Sequence, residues 1–190
     1  MSAKLAQAIR EVMLPSVHHA AAINTIGCHL LCHLTGQNYE VVAGSLIVRQ
    51  GGNPIELRAD VSKVEEDEYY LWIELRHADG RVELVDFAAP YWKNWALENG
   101  AIWLGPNPGV VWAFVDELDE HVARYTPDTE ITNIVRVALH NAFRSPNPPE
   151  QVGQWESAIN RTIDLLALEP LALEHLIKAG VAEPAGPSRN

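Results

Sequence analysis

The sequence predicts an α+β domain in which a mainly antiparallel sheet packs against a central helix, with additional helices at the C-terminal end. Three observations predict it. Apolar residues recur with the 3.6-residue period of helices toward both ends of the chain, whereas the middle alternates with the period of strands. The stretch from Tyr69 to Trp92, "YYLWIELRHADGRVELVDFAAPYW", holds two alternating runs around a turn signal, which is an antiparallel hairpin. Strand and helix do not alternate as a parallel nucleotide-binding sheet requires, and "GSLIVRQGG" is neither a P-loop nor GxGxxG. At 190 residues the chain has room for one well-packed core. A single domain over 1–180 is therefore expected, followed by a flexible tail over 181–190 rich in Pro, Gly and Ser.

In chain order, "SAKLAQAIREVML" places Leu5, Ala8, Ile9, Val12 and Met13 on one helical stripe that stops at Pro15. A second helix is expected from about Val17 to Leu34, capped by Gly36. Ile23, Ile26, Leu30 and Leu34 share its buried face, and Gly27 lets a neighbour approach closely. "YEVVAGSLIVR" reads as a buried strand with Gly44 at a bulge or close contact, and "NPIELRAD" as a short edge strand. In the hairpin, a turn centred on Ala78 and Asp79 pairs Leu75 with Val82, Ile73 with Leu84, and Leu71 with Asp86. Ala88 to Gly109 reads as an ordered loop held by aromatic packing. "GVVWAFV" is either one more strand or the start of a helix over "DELDEHVARY". Asp128 or Thr129 caps "EITNIVRVALHNAF", "SPNPP" ends it, Pro149 begins "EQVGQWESAINRTIDLLALE", and "LALEHLIKAG" forms a last short helix.

Fourteen basic against twenty-five acidic residues give a net charge of -11, with no basic patch, which argues against nucleic acid and anionic membrane surfaces as partners. No apolar run approaches the roughly 20 residues that span a bilayer, and no leader-like segment opens the chain. A soluble, cytoplasmic protein is expected. The two cysteines, Cys28 and Cys32, stand four apart on one helical face, where a disulfide fits poorly, so reduced thiols are expected. Their bland role is as small apolar core residues. His29 and His33 have the spacing for a shared ion with Cys32 beside them, but they lie opposite the apolar stripe, where polar contacts or solvent account for them. His77 is expected in the solvent at the hairpin turn. Trp72, Tyr91, Trp92 and Trp95 are candidate binding residues, with packing of an irregular loop as the alternative.

A helix ending in glycine, the strand "VVAG", and a hairpin in which "WIE" precedes "VDF" resemble the core of transglutaminase-like proteins within the papain-like cysteine-peptidase superfamily. The ending "DFAAPYW" is similar to an uncharacterised bacterial branch of that group. The resemblance covers Val17 to Trp92 and implies a papain-like or transglutaminase-like core. It also implies a cysteine at the helix N-terminus, a histidine on the first hairpin strand and an aspartate on the second, in which the carboxylate fixes the imidazole and the imidazole lowers the thiol pKa. Carried onto this chain, the aspartate falls on Asp86, the histidine on Leu71 and the nucleophile on Ala21. Neither Leu71 nor Ala21 can do that chemistry. The resemblance therefore implies a degenerate, non-catalytic domain, a pseudoenzyme that works by binding another protein and needs no cofactor. One alternative is a cysteine hydrolase or acyltransferase using Cys28 or Cys32, and a second is metal binding through His29, Cys32 and His33.

Overall fold

The computed structural model describes residues 20–49, 54–66, 68–98, 100–106 and 108–167. The helix expected over Leu5 to Met13, His18 and His19, the last short helix and the tail lie outside the described residues. The elements are α1 (Ala20–Thr35), β1 (Glu40–Val48), β2 (Ile55–Leu57), β3 (Tyr70–Arg76), β4 (Val82–Asp86), α2 (Trp92–Glu98), β5 (Val111–Phe114), β6 (Ala123–Pro127), α3 (Thr129–Arg144) and α4 (Glu150–Ala167). This is an α+β arrangement in which every strand pairing is antiparallel. None of the described helices is long and apolar enough to cross a membrane.

The sheet grows around β1. Its first half pairs with β3, and its second half with β2, while β6 runs along the opposite edge, so that Gly44 faces Tyr70 on one side and Pro127 on the other. A Cβ at Gly44 would collide with the carbonyl oxygen of Thr126, which is the close contact the glycine permits. β4 extends the sheet beyond β3, and β5 beyond β4.

Helix α1 lies across β3 and β1 and buries Ile23, Ile26 and Leu30 against them. Gly27 is the point of closest approach, because a Cβ there would strike the ring of Phe87. The helix closes where Gly36, at φ +68, donates its N–H to the carbonyl of Cys32 at 3.0 Å, a left-handed cap that a side chain would strain. At the start of α3, Asp128 accepts from the N–H of Ile131 at 3.0 Å. One turn on, Thr132 Oγ1 both donates to and accepts from the backbone of Ala43 at 3.0 Å, which fastens α3 to the edge of β1 left open beyond Gly44.

The hairpin departs from the expected register. Gly80 sits at φ +88 and donates to the carbonyl of His77 at 3.0 Å, and His77 pairs directly with Arg81, so the loop holds three residues. A left-handed glycine in the third loop position adds one residue to the turn. Every pair therefore shifts by one: Arg76 faces Val82, Leu75 faces Glu83, Glu74 faces Leu84, and Ile73 faces Val85. Leu71 is not the cross-strand partner of Asp86.

Two other expectations change. The segment from Ala88 to Gly109 is not wholly irregular, since a single 3-10 turn (Ala89–Tyr91) leads into α2. The segment "DELDEHVARY" is not a helix. "VWAF" is strand β5, a 3-10 turn follows at Val115–Glu117, and Asp119 then organises a turn by accepting from the N–H of His121 through its side chain and from that of Val122 through its carbonyl. The chain re-enters the sheet as β6. Backbone pairing of five residues with β1 overrides a local pattern that suits either structure.

Candidate functional site

Asp86, the last residue of β4, is 0 % exposed. Burying a carboxylate demands compensation, and four donors supply it. Oδ1 accepts from Asn24 Nδ2 at 2.9 Å and from the N–H of Ala88 at 2.8 Å. Oδ2 accepts from the hydroxyls of Tyr70 at 2.8 Å and Tyr125 at 2.9 Å. The same Asn24 amide donates to the carbonyl of Leu71 at 2.7 Å, and its oxygen accepts from the N–H of Phe87 at 2.8 Å. Trp92 Nε1 closes the network by donating to Tyr70 at 3.0 Å. The cluster thus joins α1, β3, β4, α2 and β6.

Both carboxylate oxygens meet donors only, the arrangement an ionised, acceptor-only carboxylate requires. Burial nevertheless raises the pKa of Asp86, with the hydrogen bonds from Asn24, Tyr70, Tyr125 and Ala88 pulling the other way. Burial and the neighbouring Asp86 charge push both tyrosines well above the usual phenol value. They act as fixed hydrogen-bond donors.

The three positions carried over from the resemblance meet this cluster differently. Leu71 is buried, and only its backbone carbonyl takes part. Ala21 is half-buried on α1, one turn before Asn24, which is the α1 residue that bonds to Asp86. Among the described residues, no cysteine or histidine hydrogen-bonds to Asp86. Sequence reasoning missed Asn24, Tyr70 and Tyr125. The available signal was Asn24 itself, an amide in a helix interior beside apolar residues, where asparagine is unfavourable without a specific partner.

The aromatic candidates divide. Trp72 and Trp92 are core side chains, the first donating through Nε1 to Glu74 Oε1 at 2.9 Å and the second to Tyr70, so neither can face a partner. Trp92 belongs to the Asp86 network, and Trp72 packs edge-on against Tyr125. Tyr91 and Trp95 remain half-buried and stack with centroids 6.4 Å apart and planes at 27°. Just beyond them Leu97, Ile102 and Leu104 are 55 %, 67 % and 71 % exposed.

His77 is not simply in solvent, because its Nε2 lies 2.8 Å from Glu83 Oε2 and its ring packs edge-on against Phe114. Glu83, buried on β4, also accepts from Trp112 Nε1. The thiols of Cys28 and Cys32 converge on one acceptor, each 3.3 Å from the carbonyl oxygen of Tyr39. The hydrogen bond with Cys32, together with burial, raises the Cys28 thiol, and the same hydrogen bond lowers Cys32 to about 7. His29 instead packs against Phe143, and no three His, Cys, Asp or Glu side chains converge on a metal position among the described residues. The set His29, Cys32 and His33 therefore does not assemble as metal ligands.

No family model and no curated protein matches the chain. A solved structure, the genomics target APC5867, superposes with a TM-score of 0.53 at 14% identity, covering 83% of this chain and 76% of that one. At that identity the likeness is one of fold, and it extends across most of both chains.

Proposed function

We propose that the chain is a non-catalytic domain of transglutaminase-like, papain-like architecture that acts by binding another protein. The observation that carries this reading is the state of Asp86: sealed from solvent, with both oxygens occupied by Asn24, Ala88, Tyr70 and Tyr125. A carboxylate that orients a catalytic imidazole needs a free oxygen facing it. Here Asn24, from α1, donates to one oxygen and two tyrosine hydroxyls to the other. The surface that supports binding is the exposed set Leu97, Ile102 and Leu104, which follows the Tyr91–Trp95 stack in sequence, three large apolar side chains within eight residues.

The test compares the full chain with a Leu97→Glu, Leu104→Glu variant in quantitative capture from the native host. Loss of a stoichiometric partner with unchanged circular dichroism supports the reading, and identical capture, or no stoichiometric partner for either chain, removes it.

A second reading, a cysteine hydrolase or acyltransferase, is favoured by the half-buried Cys32 thiol, 3.3 Å from the carbonyl oxygen of Tyr39 and with its pKa lowered by the hydrogen bond with Cys28. Its test is burst acylation by p-nitrophenyl acetate. Turnover that Cys32→Ser abolishes would establish it, and stoichiometric labelling without turnover would not.

A further inference from the structure

Helix α1 brings both cysteines of the chain to one acceptor. The sulfurs of Cys28 and Cys32 each lie 3.3 Å from the carbonyl oxygen of Tyr39, are hydrogen-bonded to each other, and are free thiols. Residues four apart on a helix share a face, with Cα atoms about 6 Å apart. The Asp86 network uses neither sulfur.

The two thiols differ in access. Cys28 is 8 % exposed, whereas Cys32, one turn on, is half-buried. An oxidant arriving from solvent therefore meets Cys32 first. The hydrogen bond from Cys28 favours the thiolate on Cys32, while burial keeps the proton on Cys28. A partly exposed thiolate with a second thiol beside it is the arrangement of redox-sensing cysteines.

The helix decides whether the pair can close. A straight helix holds Cβ atoms four residues apart wider than the roughly 3.5–4.5 Å of a relaxed disulfide, so the bond requires the last turn of α1 to give. That turn holds little in place: none of residues 32–38 is buried, and α1 ends at Thr35, just before Gly36 at φ +68. Closure also takes both thiol donors from the carbonyl of buried Tyr39, which favours the reduced form. A disulfide strained in this way is easily reduced, the property that separates a switch from a structural cross-link.

We propose that Cys28 and Cys32 are a reversible peroxide-sensing pair, in which Cys32 is oxidised first and Cys28 resolves it as a disulfide. The Cys32 sulfur attacks one peroxide oxygen, so that an S–O bond forms, the O–O bond breaks and hydroxide leaves. The Cys28 sulfur then attacks the Cys32 sulfur. The S–O bond breaks, and the hydroxyl leaves with the Cys28 proton as water. Two thiols are oxidised to one disulfide, and one hydrogen peroxide is reduced to two waters.

The experiment treats the reduced full chain with excess hydrogen peroxide near neutral pH, alkylates the remaining thiols and reads the intact mass. The expected product is a monomer that has lost two hydrogens and carries no alkyl group, and dithiothreitol restores it. Cys28→Ala should stop at a dimedone-reactive sulfenic acid on Cys32, and Cys32→Ala should react with peroxide at least about tenfold more slowly than wild type. Wild-type chain that keeps both thiols alkylatable, cross-links only between molecules or passes directly to sulfinic acid would overturn the proposal. Equal peroxide rates for Cys32→Ala and wild type would also overturn it. The wild-type measurement tests the pair even where a variant fails to fold.

Discussion

The amide of Asn24 stands 2.9 Å from the carboxylate of Asp86, joining the central helix to the fourth strand across 62 residues of sequence. Because the same nitrogen also reaches the carbonyl of Leu71, one side chain ties helix and hairpin together at the point where the resemblance places a catalytic histidine.

Removing Asp86 should therefore cost stability. Asp86→Ala strands the donors of Asn24, Tyr70, Tyr125 and Ala88 in the interior, an expected loss of about 3–5 kcal/mol. Asp86→Asn keeps one acceptor and should cost less. Urea unfolding measures both, and an Asp86→Ala loss under about 1 kcal/mol would show that the network relaxes at little cost.

The pH dependence follows from burial. Because the folded-state pKa of Asp86 is raised, the folded chain holds this proton more tightly than the unfolded chain does. The contribution of this group to stability is thus fully present below the unfolded value of about 3.9 and is lost as pH rises through the folded value. Subtracting the Asp86→Asn unfolding free energy from that of wild type isolates this residue. The difference should fall as pH rises above about 4, and a difference that grows with pH would mean that the four donors outweigh burial.

Core and surface aromatic neighbours should separate cleanly. Trp72→Ala and Trp92→Ala empty buried volume and are expected to cost about 3–5 kcal/mol. Leu97→Ser and Leu104→Ser, on exposed side chains, should stay within about 0.5 kcal/mol. Chemical denaturation of the four variants checks the contrast.

The thiol pair makes a kinetic prediction. Iodoacetamide should label Cys32 before Cys28, with a rate that rises through about pH 7. Cys28→Ala removes the hydrogen bond that stabilises the Cys32 thiolate and should move that midpoint upward. Peptide mapping after timed labelling reads both effects.

Elements that rest on local signals were legible in the sequence. The stop at Gly36, the Asp128 cap, the close approaches at Gly27 and Gly44, and the edge strand at "IEL" each follow from one residue type in a fitting pattern. What failed depended on partners far along the chain. The hairpin slipped by one because "HADG" suits a two-residue or a three-residue loop, and Gly80 takes the longer one. Strand β6 was hidden because "ARYTP" gains its strand character from pairing with β1. Since Tyr125 lies on β6, missing that strand also hid half of the hydroxyl cage around Asp86. Asp86 itself stood out as the position onto which the resemblance carries an aspartate, but its partner Asn24 lay 62 residues earlier.

The central claim, that Asp86 serves structure and not catalysis, is tested most directly by the rate at which Cys32 is acylated by p-nitrophenyl acetate in wild type and in folded Asp86→Asn. Equal rates per folded molecule are predicted, because the carboxylate makes no bond to either thiol. A fall of about a hundredfold or more in the variant, with circular dichroism unchanged, would contradict the account and make Asp86 part of a working acyl-transfer site.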